Sequence, residues 1–246
     1  MSDSHVGKYY DEQHYGCNHS SKWIKLPFSK QDYYGKPLER LGCKAGDRLL
    51  DVACGEGQLI ERAESLGLQC WGIDISQVAT IEARRRCKAA IVCDDVNKGL
   101  PYDNGFYDYA TCLGSLEHFE NQLYVLSEIR RVIKNSGRVY ILVPNDDYIL
   151  HKFGYETDDQ PVINRHSLLS YISLLVQSGF RIERALSDNS HLSDLAESSS
   201  CLKFVLKLII HPLVKFIPLR YAYNFIFICQ PTTQRREGQG ECMTKI

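Results

Sequence analysis

From Arg48 to Cys229 the chain alternates short apolar runs with stretches whose apolar residues recur at helical spacing. That alternation limits the available folds more than any other feature, because it asks for strands and helices in turn. Arg48–Ala53 suits a buried strand, and Leu59, Ile60, Ala63 and Leu66 then repeat as a helix face until Gly67. Leu68–Ile73 is a second strand. Ser76 is placed to cap a helix reaching Arg86, with Val78, Ala79 and Ile81 turned inward. Ala89–Cys93 and Tyr107–Leu113 are the third and fourth strands. Leu123, Leu126, Ile129, Val132 and Ile133 mark a helix closed near Gly137, and the fifth strand, Arg138–Val143, is stopped by Pro144. Leu168, Ile172, Leu175 and Val176 mark a helix ending at Gly179, before strands Phe180–Leu186 and Tyr223–Cys229.

Repeated β-α-β units imply an α/β fold: a doubly wound, mostly parallel seven-stranded sheet covered on both faces. Ligands of such sheets bind beyond the carboxyl ends of the strands. Residues 37–230 read as one domain, with a basic, apolar, helical insertion at 187–222 before the last strand. Residues 1–36 read as a lid or tail, and 231–246 as a disordered polar tail.

Charge and cysteine usage exclude several classes. The 246 residues carry a formal net charge of -1, which offers nucleic acid no broad basic surface. The ten cysteines are scattered without a Cys-x-x-Cys pair, and Cys70, Cys93, Cys112 and Cys229 sit in apolar runs. They read as reduced core thiols of a cytoplasmic protein. His14, Cys17 and His19 lack a second cluster, so no metal site is expected. The N-terminus lacks a secretory pattern, and no run is long enough to span a bilayer.

The first strand runs into Asp51, Val52, Ala53, Cys54, Gly55, Glu56 and Gly57. A strand, a glycine-containing turn and a helix make a nucleotide site. The dinucleotide spacing Gly-x-Gly-x-x-Gly fails in both registers, because position 58 is Gln and position 60 is Ile. Asp51 and Glu56 also put carboxylates where a pyrophosphate would be repelled and a cation welcomed. The second strand ends in Asp74 and Ile75, an acid suited to ribose hydroxyls 23 residues after Asp51. The third is followed by Asp94, Asp95 and Val96, and the fourth by Leu113, Gly114, Ser115, Leu116, Glu117 and His118.

As a set these segments resemble the class I S-adenosylmethionine-dependent methyltransferases over residues 37–186. Asp51 with Ala53, Gly55 and Gly57 looks like the family's first motif, with alanine where glycine is usual. The resemblance implies S-adenosyl-L-methionine as cofactor. Asp51, Ala53, Cys54, Gly55, Gly57, Leu113 and Gly114 would surround its methionine end, Asp74 and Ile75 its ribose, and Asp94 or Asp95 with Val96 its adenine. Asp95 fits the family spacing better than Asp94. Methyl transfer needs alignment and exclusion of water, and a general base when the acceptor is a hydroxyl or ammonium. His118, beside Glu117, is the candidate base; packing or capping the next helix is the competing role for the pair. His166 reads as structural. Tyr9, Tyr10 and Tyr15 are placed to close over the cofactor, or to be surface aromatics.

Between Glu197 and Glu237 no acidic residue occurs, while Lys203, Lys207, His211 and Lys215 fall four apart among Phe204, Leu208, Ile209 and Phe216. Segment 201–222 is thus either an apolar cap or a peripheral membrane contact. Either favours a small hydrophobic or lipid-linked acceptor. The alternatives to methyl transfer are a non-catalytic cofactor-binding partner of another enzyme and an NAD-dependent oxidoreductase.

Overall fold

A computed structural model describes residues 5–15, 30–148, 160–188 and 218–232. Seven strands form one sheet: β1 Arg48–Val52, β2 Gln69–Asp74, β3 Ala90–Cys93, β4 Tyr107–Leu113, β5 Ile133–Pro144, β6 Phe180–Asp188 and β7 Asn224–Pro231. Their order across the sheet is β3-β2-β1-β4-β5-β7-β6. The first five are mutually parallel, and β7 runs antiparallel to both β5 and β6. The helices are α1 His5–Tyr9, continued by a π-helical turn Tyr10–His14, then α2 Lys30–Leu41, α3 Gln58–Ser65, α4 Gln77–Arg86, α5 Gln122–Val132 and α6 Leu168–Gln177. The expected mostly parallel, doubly wound sheet is present. α2 runs across the boundary expected at residue 37. The insertion lies, for 189–217, outside the described residues, as do 16–29 and 233–246.

Alternation along β1 builds the core on both faces. Leu49 packs with Leu38, Ile60, Ala63 and Ala83 of α2, α3 and α4. Leu50 and Val52 join Val125, Leu126 and Ile129 of α5, Tyr171 and Leu175 of α6, and Phe225 and Phe227 of β7. The chain reverses its winding between β1 and β4, so the crevice of the sheet opens where those two strands end.

Four expectations are corrected by this packing. Val78 and Ile81 face solvent, while α4 buries Ala79, Thr80 and Ala83. A Cβ on Gly57 would stand 3.1 Å from that of Ala83, so α4 lies too close to the first loop for larger side chains. α5 stops at Val132, not near Gly137, because Ile133 already pairs with Tyr107 in the sheet. A Cβ on Gly137 would meet the Asp108 carbonyl at 2.6 Å, so that glycine serves a close strand approach rather than a helix end. Leu123 and Val176 are exposed; Val125 and Tyr171 take the inward places. Cys93, at the end of edge strand β3, is exposed rather than in the core. The described cysteines are free thiols.

Candidate active site

Three residues at alternating positions of the β1–α3 loop have left-handed backbones: Ala53 (φ 57°), Gly55 (φ 53°) and Gly57 (φ 79°). Glycine takes this conformation without penalty, whereas alanine is strained by its Cβ. The loop is thereby bent sharply back, and Gly57 becomes the N-cap of α3. Gly57 lies behind the cleft; Ala53, Cys54 and Gly55 line it.

Asp51 and Asp74 form the acidic floor. Asp51 is buried and accepts a hydrogen bond from Thr111 Oγ of β4 (2.6 Å). Burial pushes its carboxyl up to about 7; the Thr111 bond opposes the rise and nearby Asp74 adds to it. Asp74 accepts from the Gly55 N–H (2.8 Å) through one oxygen and from the Ser76 N–H (2.9 Å) through the other. Its carboxyl is also raised by burial, against those two backbone bonds. Asp74 therefore holds the loop and faces the cleft together. Glu56 is turned toward Gln58 (3.1 Å) and Arg86 (3.9 Å), so less of its charge reaches the cleft than the sequence suggested.

Toward β3 lie Ile75, Asp94, Asp95 and Val96. Asp94 accepts from the Asp95 N–H (2.7 Å), and the buried Asp95 caps the 3₁₀ turn Val96–Lys98 through the Asn97 N–H (3.0 Å). Toward β4 lie Leu113, Gly114, Glu117 and His118. Together these walls enclose a cleft of about 480 Å³, within the range usual for cofactor sites.

Glu117 and His118 are both buried in the cleft wall. His118 Nδ1 stands 2.7 Å from the Val162 carbonyl, and Nε2 stands 3.7 Å from Glu117 Oε1. A carbonyl can only accept, so Nδ1 donates to it, and when the ring is neutral Nε2 is its basic nitrogen. Segment 160–166 is fastened to this wall: the Asn164 N–H donates to the Glu117 carbonyl (2.7 Å), and buried Gln122 donates to the Leu116 and Asn164 carbonyls (2.9 Å each). His166 pairs with Gln122 Oε1 (2.7 Å), a structural place outside the cleft lining.

The N-terminal segment lines the cleft through Val6, Tyr10, His14 and Tyr15. A Cβ on Gly55 would stand 3.0 Å from the Tyr15 hydroxyl. That phenol is raised well above its ordinary range by burial and then by Asp74. Sequence reasoning pointed to Tyr10 and Tyr15 but missed Thr111, Gln160, Arg165, Tyr223 and Asn224. Thr111 is hidden because it meets Asp51 only across two strands, in register. Gln160 and Arg165 reach the cleft from segment 160–166 ahead of α6, and Tyr223 and Asn224 from the start of β7, and no local spacing signals that.

The donor set suits a cationic adenosyl ligand. Asp51 and Asp74 are both buried and line the cleft, and in ionised form they would repel a diphosphate there. Among the described residues there is no group of three metal-binding side chains.

The model of a methyltransferase domain matches residues 50–141. The 27-O-demethylrifamycin SV methyltransferase of Amycolatopsis mediterranei is 30% identical over 162 residues, which cover 57% of this chain and 60% of that protein. A ubiquinone biosynthesis O-methyltransferase of Acinetobacter baylyi is 27% identical over 44% of this chain and 48% of its own length. The chain thus spans about half to three-fifths of the curated relatives it matches. Haemonchus contortus phosphoethanolamine N-methyltransferase 2, solved with phosphomonomethylethanolamine and S-adenosylhomocysteine, superposes with a TM-score of 0.70 at 18% identity over 95% of this chain and 61% of that one. The matched methyltransferase domain, the relatives and the shared fold together support a class I S-adenosylmethionine-dependent methyltransferase, with the family match carried by residues 50–141.

Proposed function

We propose that the protein transfers the methyl group of S-adenosylmethionine to a hydroxyl of a small acceptor, with His118 as general base. The observation that carries this reading is the His118–Val162 hydrogen bond, which leaves Nε2 as the basic atom in the cleft wall. The sulfonium supplies an activated methyl and leaves as a neutral thioether, so no acid is required of the protein. What remains for the chain is to orient the acceptor, keep water out and take up one proton. Asp51 would hold the cofactor's ammonium, Asp74 its ribose, and Asp95 with Val96 its adenine. Ala53, Cys54, Gly55, Ile75, Leu113 and Gly114 would supply the close walls, with Gly57 bending the loop from behind and Asp94 at its mouth.

A hydroxyl acceptor is supported by the names of the two curated relatives, both acting at oxygen. Leu142, Pro144 and Tyr223 give the far end of the cleft an apolar wall, while Gln160, Arg165 and Asn224 add polar groups. This lining favours a compact acceptor with one apolar face. A lipid-linked acceptor rests on stretch 201–222 alone, most of which lies outside the described residues. Among the described residues no helix is long and apolar enough to cross a membrane. Sedimentation with anionic vesicles at low salt tests whether that stretch makes a peripheral contact.

The function is tested by labelled methyl transfer from S-adenosylmethionine to phenolic and aliphatic alcohols. A general base contributes about 10²–10⁴-fold. His118→Ala is therefore expected to lower kcat by at least about 10²-fold while cofactor affinity stays near wild type. Unchanged kcat would remove His118 from the chemistry. Tight cofactor binding with no transfer to any acceptor would favour a non-catalytic partner role.

A further inference from the structure

The N-terminal segment meets the cofactor half of the cleft at two separate points, the start of α4 and the β1–α3 loop. Asp11, in the turn after α1, accepts hydrogen bonds from Ser76 Oγ (2.6 Å) and from the Val78 N–H (3.1 Å). Ser76 is fully buried and is the N-cap of α4, accepting from the Ala79 N–H (3.1 Å). Its own N–H donates to Asp74, whose second oxygen accepts from Gly55. One hydrogen-bonded chain thus runs from Asp11 through Ser76 and Asp74 to Gly55. The second point is Tyr15, whose hydroxyl lies over Gly55. Across the cleft, the Tyr10 hydroxyl donates to Gln160 Oε1.

A carboxylate is well placed at the first turn of a helix, where backbone N–H groups lack intrahelical partners and the dipole favours negative charge. α1 has only five residues, too short to be stable alone, so segment 5–15 keeps its place through its contacts with the domain. Asp11 is the one acid of that segment bonded to the cofactor half of the cleft, while Glu12 pairs with exposed Lys8 (3.7 Å).

We propose that Asp11 is a latch that fastens segment 5–15 across the cleft and slows escape of the bound adenosyl cofactor. The proposal rests on the cofactor reading of the preceding subsection. Asp11 is a positioning residue: it acts through Ser76 and Asp74 and touches no reacting atom. The coupling runs both ways, because a ligand that fixes Asp74 and Gly55 favours the latched segment by the same factor.

The test uses the full chain and S-adenosylhomocysteine as probe, with dissociation followed by stopped-flow displacement. Loss of a charge-assisted pair of bonds is expected to speed dissociation from Asp11→Ala about tenfold. Asp11→Asn keeps both acceptor contacts and is expected to restore most of the slow release. Limited proteolysis gives an independent readout. The probe should slow cleavage within residues 5–15 in wild type and in Asp11→Asn, and not in Asp11→Ala. A purely structural cap would lower the melting temperature and leave the dissociation rate unchanged. Equal dissociation rates for wild type and Asp11→Ala would therefore overturn the latch while leaving the cofactor reading intact. A wild-type protein that does not bind the probe would overturn both.

Discussion

The least comfortable residue of the site is Ala53, an alanine held at φ 57°. A left-handed backbone costs a residue with a Cβ roughly 1–2 kcal/mol. Ala53→Gly relieves that strain but frees the unfolded chain, which opposes part of the gain. The expected net is a stabilisation of about 0.5–1 kcal/mol by denaturant titration, with cofactor affinity unchanged. A destabilised variant would mean that the methyl group packs usefully in the loop. Asp51 is the second sensitive residue. Its carboxyl is raised to about 7 from the ordinary 3.8, so the folded protein holds that proton more tightly than the unfolded chain. The stability Asp51 contributes is therefore fully present below about pH 4 and is lost as pH rises through about 7. A cofactor ammonium binds the ionised form, so affinity should climb between about pH 6 and about pH 7.5 with release of a proton. Calorimetry in buffers of different ionisation enthalpy measures that release. A flat affinity profile with no proton released would show that Asp51 does not meet the ammonium.

At the level of elements, the site depends on how closely β2, α3 and α4 approach the first loop. A Cβ on Gly72 would lie 2.7 Å from Ile60, 2.8 Å from Cys54 Sγ and 2.9 Å from Ile91. Overpacking of this kind typically costs 1–3 kcal/mol. Gly72→Ala is expected to destabilise the fold by about that amount and to weaken cofactor binding through displaced Cys54, whereas Gly105→Ala, with nothing within 4 Å, should cost only its backbone strain. Thermal melts and binding titrations of the two variants separate the effects; equal behaviour would contradict the close-packing view. The same elements explain what was legible beforehand. The strands read well because runs such as Val139–Val143 of β5 are apolar on successive residues, as a sheet covered on both faces requires. Ser76 read well because an N-cap is a local device. Helix faces read less well: α4 turns Val78 and Ile81 outward because only small side chains fit against Gly57, a constraint that comes from a loop twenty residues away. The end of α5 was missed because Ile133 serves the helix pattern and the strand equally, and pairing with Tyr107 decides between them.

For the molecule as a whole, the strand ends bring one coherent ligand surface together from separate parts of the chain. Asp51, Asp74 and Asp95 were visible in the sequence because each stands at or just past the carboxyl end of a strand. Thr111, Gln160 and the Asp11 contacts were not, because they depend on neighbours 60 or more residues away. The acidic floor distinguishes this cleft from a dinucleotide site of similar topology, and the most direct test asks it to choose. Isothermal titration of the full chain with S-adenosylhomocysteine and, separately, with NADH should give saturable binding of the first and none of the second. Hydrogen bonds to a charged group contribute about 1.5–3 kcal/mol, so Asp74→Ala should weaken the first by roughly ten- to hundred-fold. Tight NADH binding with no heat from the adenosyl ligand would contradict the assignment.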